Sequence, residues 1–161
     1  LGDDPVGAAV GLGDRRAVLL GIHRELAGIH LQDLPARPAG GITPAVATIR
    51  AMKEENMLEN ATERGTQLMT GLRKLQEEYP QIGDVRGLGL MIGAEFEVDG
   101  DYKKAKPAVQ SIVKAAEERG LLLLSCGTFD STIRWIPPLN VSEAQVKDAL
   151  DIFSASLKQT L

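Results

Sequence analysis

Apolar positions repeat every three or four residues along the first half of the chain, which is the spacing of one face of a helix. A weak stripe predicts a helix over residues 15–30, and the prolines and glycines of residues 33–41 predict a loop. The next helix is predicted from Thr43, a suitable N-cap, to about Asn56. A third helix, ending near Tyr79, is predicted by the apolar stripe Leu58, Ala61, Gly65, Leu68, Leu72 and Leu75.

In the second half of the chain, alternating apolar and polar residues predict strands. The longest of these is a single strand predicted by the alternating residues Leu88, Leu90, Ile92, Ala94 and Phe96. Short apolar runs predict strands over residues 121–124 and 132–136, and helical spacing predicts a helix over residues 108–119. The last helix is expected to begin at Ser142, where Gln145 completes a capping box.

The order of these elements distinguishes between fold classes. Strands and helices do not alternate strictly, so a parallel βαβ domain fits poorly. The pattern instead predicts an α+β fold of two layers, in which an antiparallel sheet of about three to four strands carries helices on one face.

Composition and charge narrow the function classes. The chain has 161 residues, about one domain, and 43% of them are hydrophobic. A net charge of −4 provides no basic surface for nucleic acid. No apolar run approaches the roughly 20 residues that cross a membrane, and no signal peptide is recognisable. A single cysteine, Cys126, permits no internal disulfide, which favours a cytoplasmic protein.

Two arginines are candidates for chemistry. Arg134 lies in an apolar strand, where its guanidinium needs an anion or access to water. Its planar fork suits a substrate carboxylate, although the pattern alone favours a structural salt bridge or an outward-facing position, because most arginines lie at the surface. Arg86, at the mouth of a strand, is interpreted as part of a structural ion pair or as the anchor of a turn. No protease or redox signature surrounds Cys126, and the two histidines have no metal-ligand spacing.

Several segments together resemble one enzyme family. Residues 83–95, GDVRGLGLMIGAE, resemble the D-V-R-G-x-G-L-M-x-G-x-E segment of class III aminotransferases, and residues 133–139, IRWIPPL, resemble their I-R-x-x-P-P-L motif. Residues 119–128, RGLLLLSCGT, look like the matching part of 4-aminobutyrate aminotransferases, and residues 47–60 are similar to the preceding helix. The match runs from about Ala45 to Leu161.

This resemblance implies a transaminase that uses pyridoxal 5'-phosphate (PLP), with amino acid and 2-oxo acid substrates and a homodimeric, fold-type I architecture. Residues 42–161 correspond to its small C-terminal domain. The resemblance assigns the binding of the substrate carboxylate to Arg134 and leaves Arg86 with a structural role. The amino donor that it suggests is 4-aminobutyrate or a related ω-amino acid.

The N-terminal part departs from the family. Residues 1–11 look like a worn copy of the segment that directly follows the Schiff-base lysine. That lysine would therefore precede Leu1, and we expect this chain to lack a catalytic residue of its own. Residues 1–41 are expected to be a degenerate remnant of the large domain. Thr43 is the best match for a threonine that contacts the cofactor phosphate.

Two functions follow from this departure. The chain alone is expected to be inactive, as a part of a transaminase without its Schiff-base lysine. The alternative is a non-catalytic binding or oligomerisation module derived from the small domain.

Overall fold

The computed structural model describes residues 43–161, in which four helices and four strands follow one another. Their order is α1 (Thr43–Glu54), α2 (Met57–Glu78), β1 (Ile82–Leu88), β2 (Met91–Phe96), a 3-10 turn (Tyr102–Lys104), α3 (Lys106–Glu117), β3 (Leu124–Cys126), β4 (Thr132–Trp135) and α4 (Glu143–Thr160). The helix predicted over residues 15–30 and the loop over residues 33–41 lie outside the described residues.

The strands form one sheet in the order β1-β2-β4-β3, and every neighbouring pair is antiparallel. Helix α3 lies in sequence between β2 and β3, so the chain leaves the sheet after its second strand and returns at the opposite edge. The predicted α+β fold with an antiparallel sheet is confirmed.

The single strand predicted to end at Phe96 is wrong. A hairpin replaces it, in which Leu88 of β1 pairs with Met91 of β2 and only Gly89 and Leu90 form the turn. Gly89 has a φ of 55°, which an L-residue rarely adopts and which permits the reversal. Alternation of apolar residues continues through the turn, and this continuity is what suggested an unbroken strand.

The strand predicted over residues 121–124 is also displaced. Strand β3 begins at Leu124, where its pairing with Arg134 starts. Leu121 and Leu123 are buried in the core, whereas Leu122 and Leu124 are exposed. The apolar character of this run therefore reflects two different environments, the core and the outer surface of the sheet, and does not mark the paired residues.

Helices cover one face of the sheet and complete the core. Ile92, Ala94 and Phe96 of β2 point into this core, and Ile133 and Trp135 of β4 lie opposite Ala94 and Ile92 on the same face. Four of the five residues predicted to form the inner stripe of the last helix are buried, namely Val146, Ala149, Phe153 and Leu157. Both layers of the predicted fold are thus present, and no helix among residues 43–161 covers the opposite face of the sheet.

Local contacts hold the helices to this sheet. A Cβ atom added at Gly65 of α2 would lie 2.3 Å from the carbonyl oxygen of Gly89, so the helix and the hairpin turn touch backbone to backbone.

The predicted capping box of α4 is confirmed, because Ser142 accepts a hydrogen bond from the Gln145 backbone and Gln145 accepts one in return.

Candidate functional site

The open face of the sheet is arranged in rows that cross all four strands. Residues directly opposite each other in antiparallel strands project from the same face. One row contains Leu124, Arg134, Gly93 and Arg86, in the order β3, β4, β2, β1. The neighbouring row contains Cys126, Thr132, Glu95 and Asp84. The sheet therefore brings together charged residues that are up to fifty positions apart in the sequence.

Arg134 occupies the centre of this open face. It is exposed, its neighbour across β2 is Gly93, and its neighbour across β3 is Leu124. None of the salt bridges among residues 43–161 involves Arg134. Its guanidinium fork is thus presented on a surface where a carboxylate can meet it with two parallel hydrogen bonds.

Gly93 separates the two arginines of the row. It pairs with Arg86 on one side and with Arg134 on the other. Strands lie about 4.8 Å apart, so the Cα atoms of the two arginines are roughly 10 Å apart. Gly93 places no side chain between the arginines, and the nearest group to the position of its missing Cβ is Cγ2 of Thr132, 3.2 Å away.

Arg86 forms the ion pair that its sequence context predicted. Its Nη1 donates to Oδ2 of Asp84 and to Oε2 of Glu95, each at 2.6 Å. The bond to Asp84, and then the bond to Glu95, raise the pKa of Arg86 above its ordinary value. The other carboxylate oxygen of Glu95 lies 3.5 Å from the hydroxyl of the buried Ser131. Glu95 and Asp84 are site residues that the sequence analysis left without a role.

An apolar row lies beside the arginines. Leu88 and Met91 face each other at the hairpin end of the sheet and are 86% and 67% exposed. Leu122 and Ile136, just beyond the ends of β3 and β4, are half exposed, and the alternation of their strands continues this row. The open face therefore combines a hydrophobic strip with a cationic centre.

Two cavities of the described residues do not fit PLP. A shallow cavity of about 330 Å³ is lined by three carboxylates, Glu55, Glu59 and Glu63, with Asn56, Asn60 and Asn140. Carboxylates repel the phosphate that such a site must hold. A second cavity, beneath Trp135, measures only about 10 Å³. Residues 43–161 therefore provide a candidate carboxylate site, and neither of these two cavities is a cradle for the cofactor.

The expectations for the N-terminal part lie outside the described residues. Neither Leu1 nor the segment up to residue 42 belongs to the part of the chain that the structure describes. The position of the Schiff-base lysine before Leu1 therefore stays a prediction, based on the resemblance of residues 1–11 to the segment that follows it. The interpretation of residues 1–41 as a remnant of the large domain stays a prediction for the same reason.

The remaining candidates from the sequence are Thr43, Cys126 and a metal or membrane site. Helix α1 begins at Thr43, whose side chain lies outside the described part of the structure, so its contact with a cofactor phosphate stays a prediction. Cys126 is a half-buried free thiol at the edge of the sheet. No group of acidic, histidine and cysteine side chains within residues 43–161 could hold a metal ion, and none of the helices described there could span a membrane.

Two curated relatives show a similar sequence. The chain is 40% identical over 111 residues to 4-aminobutyrate aminotransferase GabT of Escherichia coli, an alignment that covers 68% of this chain and 26% of the relative. It is 41% identical over 111 residues to 5-aminovalerate aminotransferase DavT of Pseudomonas aeruginosa, again covering 68% and 26%. The chain thus spans about a quarter of the length of these relatives.

The fold and a family model agree with these relatives. A phospholyase from Arthrobacter, solved with phosphoethanolamine, has a TM-score of 0.66 and 26% identity, covering 70% of this chain and 27% of that one. Its name denotes a different reaction, so the fold alone does not define the chemistry. The model of the aminotransferase class-III family matches residues 42–157. From this match and the ordered motifs on the sheet, the chain belongs to the class III aminotransferase family.

Proposed function

We propose that residues 43–161 act as the small domain of a PLP-dependent aminotransferase, in which Arg134 binds the carboxylate of the amino acid substrate. The observation that carries this proposal is the placement of Arg134, exposed at the centre of the open sheet face and without a salt bridge among residues 43–161. An arginine without a partner in an apolar setting has the geometry for a carboxylate ligand.

The proposed amino donor is 4-aminobutyrate or a related ω-amino acid, and the acceptor is a 2-oxo acid. The names of the two relatives, a 4-aminobutyrate and a 5-aminovalerate aminotransferase, support this class. The exposed apolar row formed by Leu88, Met91, Leu122 and Ile136 suits the methylene chain of such a substrate.

The role of this domain is to bind and orient. When bound, PLP supplies the electron sink for amino transfer, and the protein supplies orientation and charge. Arg134 contributes a fixed positive charge and two parallel hydrogen bonds, which orient the carboxylate end of the substrate. Since neither of the two cavities described above fits the cofactor, we propose that the 161-residue chain alone does not transaminate. Turnover of 4-aminobutyrate with 2-oxoglutarate by the pure chain and PLP would contradict this.

The carboxylate site is tested by an NMR titration of the 161-residue chain with sodium 4-aminobutyrate. We expect saturable shifts of the Arg134 side-chain Nε–H and of the backbone amide of Gly93. n-Butylamine, which has the same chain and amine but no carboxylate, should leave both resonances unchanged.

A matched pair of variants completes this test. Arg134→Lys keeps the charge but loses the planar fork, and Arg134→Gln loses both. We expect weaker binding in the first variant and none in the second. Equal affinity in the wild type and in Arg134→Gln would assign the carboxylate to another residue and overturn the proposal.

A second candidate function is a non-catalytic assembly module, favoured by the exposed apolar row on the open face. In this proposal the row packs against the same row of a second copy of the chain. Light scattering at increasing protein concentration tests it. A dimer that the substitution Met91→Glu dissociates would support assembly through this face, whereas a monomer at all concentrations would exclude it.

A further inference from the structure

Glu95 has an arginine on each side of it. Glu95 pairs with Asp84 on β1 and with Thr132 on β4, and Gly93, two residues earlier, pairs with Arg86 and Arg134 on the same two strands. Both arginines are therefore diagonal neighbours of Glu95 on the open face. Such neighbours are about 7–8 Å apart, a separation that long side chains bridge.

Only one of these two diagonals carries an ion pair. Oε2 of Glu95 lies 2.6 Å from Nη1 of Arg86, and the same nitrogen holds Asp84 at 2.6 Å. The side chain of Glu95 is 22% exposed, whereas that of Arg86 is 56% exposed. Glu95 is thus drawn toward β1, away from Arg134, which has no salt bridge with any carboxylate of residues 43–161.

We propose that Arg86 is a positioning residue for the carboxylate site: by holding Glu95, it keeps that carboxylate from pairing with Arg134. This inference rests on the proposed function, because it assigns Arg86 a role only if Arg134 binds a substrate carboxylate. Glu95 would otherwise be an internal competitor, as a tethered carboxylate within reach of the same guanidinium.

Arg86 offsets the repulsion between two neighbouring carboxylates, Asp84 and Glu95. Asp84 and Glu95 directly face each other across β1 and β2, an arrangement in which like charges are destabilising. Arg86 bridges them and leaves the cluster with one net negative charge. Without Arg86, the nearest cation for Glu95 on this face of the described sheet is Arg134.

The test is the same titration with sodium 4-aminobutyrate, carried out on variants of the 161-residue chain. In Arg86→Gln, Glu95 is released, and we expect binding to be on the order of two- to five-fold weaker, the strength of an exposed ion pair. The Arg134 Nε–H resonance should also move before any ligand is added. Arg86→Lys, which retains the cation, should bind as the wild type does.

A double variant distinguishes a positioning role of Arg86 from a general effect of its loss on the structure. In the double variant Arg86→Gln with Glu95→Gln, the competitor is absent, and we expect affinity to return to that of the wild type. Persistent weak binding in the double variant would overturn the inference, as would wild-type affinity in Arg86→Gln. Each variant is checked for folding by its backbone amide spectrum, and Arg86 is exposed enough for its replacement to be tolerated.

The two proposals fail differently. If the wild type does not bind 4-aminobutyrate through Arg134, the proposed function fails. The positioning role, which rests on it, then fails as well, and the ligand-free Nε–H resonance of Arg134 in Arg86→Gln reports only whether Glu95 moves to Arg134. If the wild type binds and Arg86→Gln binds equally well, only the positioning role fails.

Discussion

Glu95 and Arg86 are joined at 2.6 Å across β1 and β2, although Arg134 occupies the corresponding diagonal on the other side of β2. The two arginines have the same register relative to Gly93, yet only one carries an ion pair among the described residues. Asp84, which faces Glu95, shares the same cation. One sheet face thereby holds a neutralised arginine and an available one side by side.

The largest loss of stability is expected from removing a large side chain from the core. Phe153 is fully buried and meets the ring of Trp135 edge-on, with centroids 5.1 Å apart. Phe153→Ala should lower the free energy of unfolding by about 3–5 kcal/mol. Urea unfolding followed by the fluorescence of Trp135, the only tryptophan of the chain, measures this. Leu88→Ala, at an 86% exposed position, serves as the control and should change stability by no more than about 0.5 kcal/mol.

The close approach between α2 and the hairpin predicts that a side chain at Gly65 lowers the stability of the fold. A Cβ at Gly65 would meet the Gly89 backbone at 2.3 Å, and backbone cannot give way as a side chain can. Gly65→Ala should therefore be destabilising by about 1–3 kcal/mol, despite the helix propensity that alanine adds.

Gly71 provides the matched control within the same helix. The three atoms nearest to a Cβ there all belong to the half-buried side chain of Leu150, which is flexible where the Gly89 backbone is not. Gly71→Ala should change the free energy of unfolding by less than about 1 kcal/mol. Equal destabilisation of the two variants in urea unfolding would show that contact with Gly89 is not the cause.

Loss of the cap at the N-terminus of α4 is expected to lower the stability of the fold. Ser142 accepts a hydrogen bond from the Gln145 backbone at 3.2 Å, so Ser142→Ala leaves a helix N–H without its partner. The expected loss is about 0.5–2 kcal/mol, measured by thermal unfolding. Ser111→Ala is the comparison, since Ser111 is exposed inside α3 and bonds only to a carbonyl of its own helix. A loss at Ser111 as large as that at Ser142 would contradict the capping role.

Burial predicts unequal protection of the two leading helices. The residues of α1 from Val46 to Arg50 are exposed, whereas α2 buries Gly65, Leu68, Leu72 and Leu75. Amides of α1 should exchange with solvent at least roughly ten-fold faster than those of the buried turns of α2, because local opening costs less where few apolar contacts are lost. Hydrogen exchange followed by NMR measures this. Comparable protection in α1 would indicate that another part of the chain, or a second copy, covers it.

The helices and their ends could be predicted from the sequence, because they depend on local chemistry. The capping box at Ser142 and the stripe of α2 from Gly65 to Leu75 act over a few residues and lie where the sequence predicted them, whereas Leu58, also predicted in the stripe, is exposed. The family resemblance rests on equally local motifs, and the family model that matches residues 42–157 confirms it.

The pairing of strands was decided only by tertiary structure. In one long strand Leu88 and Ile92 would share a face, whereas in the hairpin Leu88 is exposed and Ile92 is buried on the opposite face, and the alternation of apolar residues in the sequence does not distinguish the two. Which residues share a row depends on register between segments up to fifty residues apart, and no local pattern encodes it. For this reason the sequence indicated Arg134 as a candidate, whereas only the folded sheet placed Gly93 beside it and Glu95 within reach of both arginines.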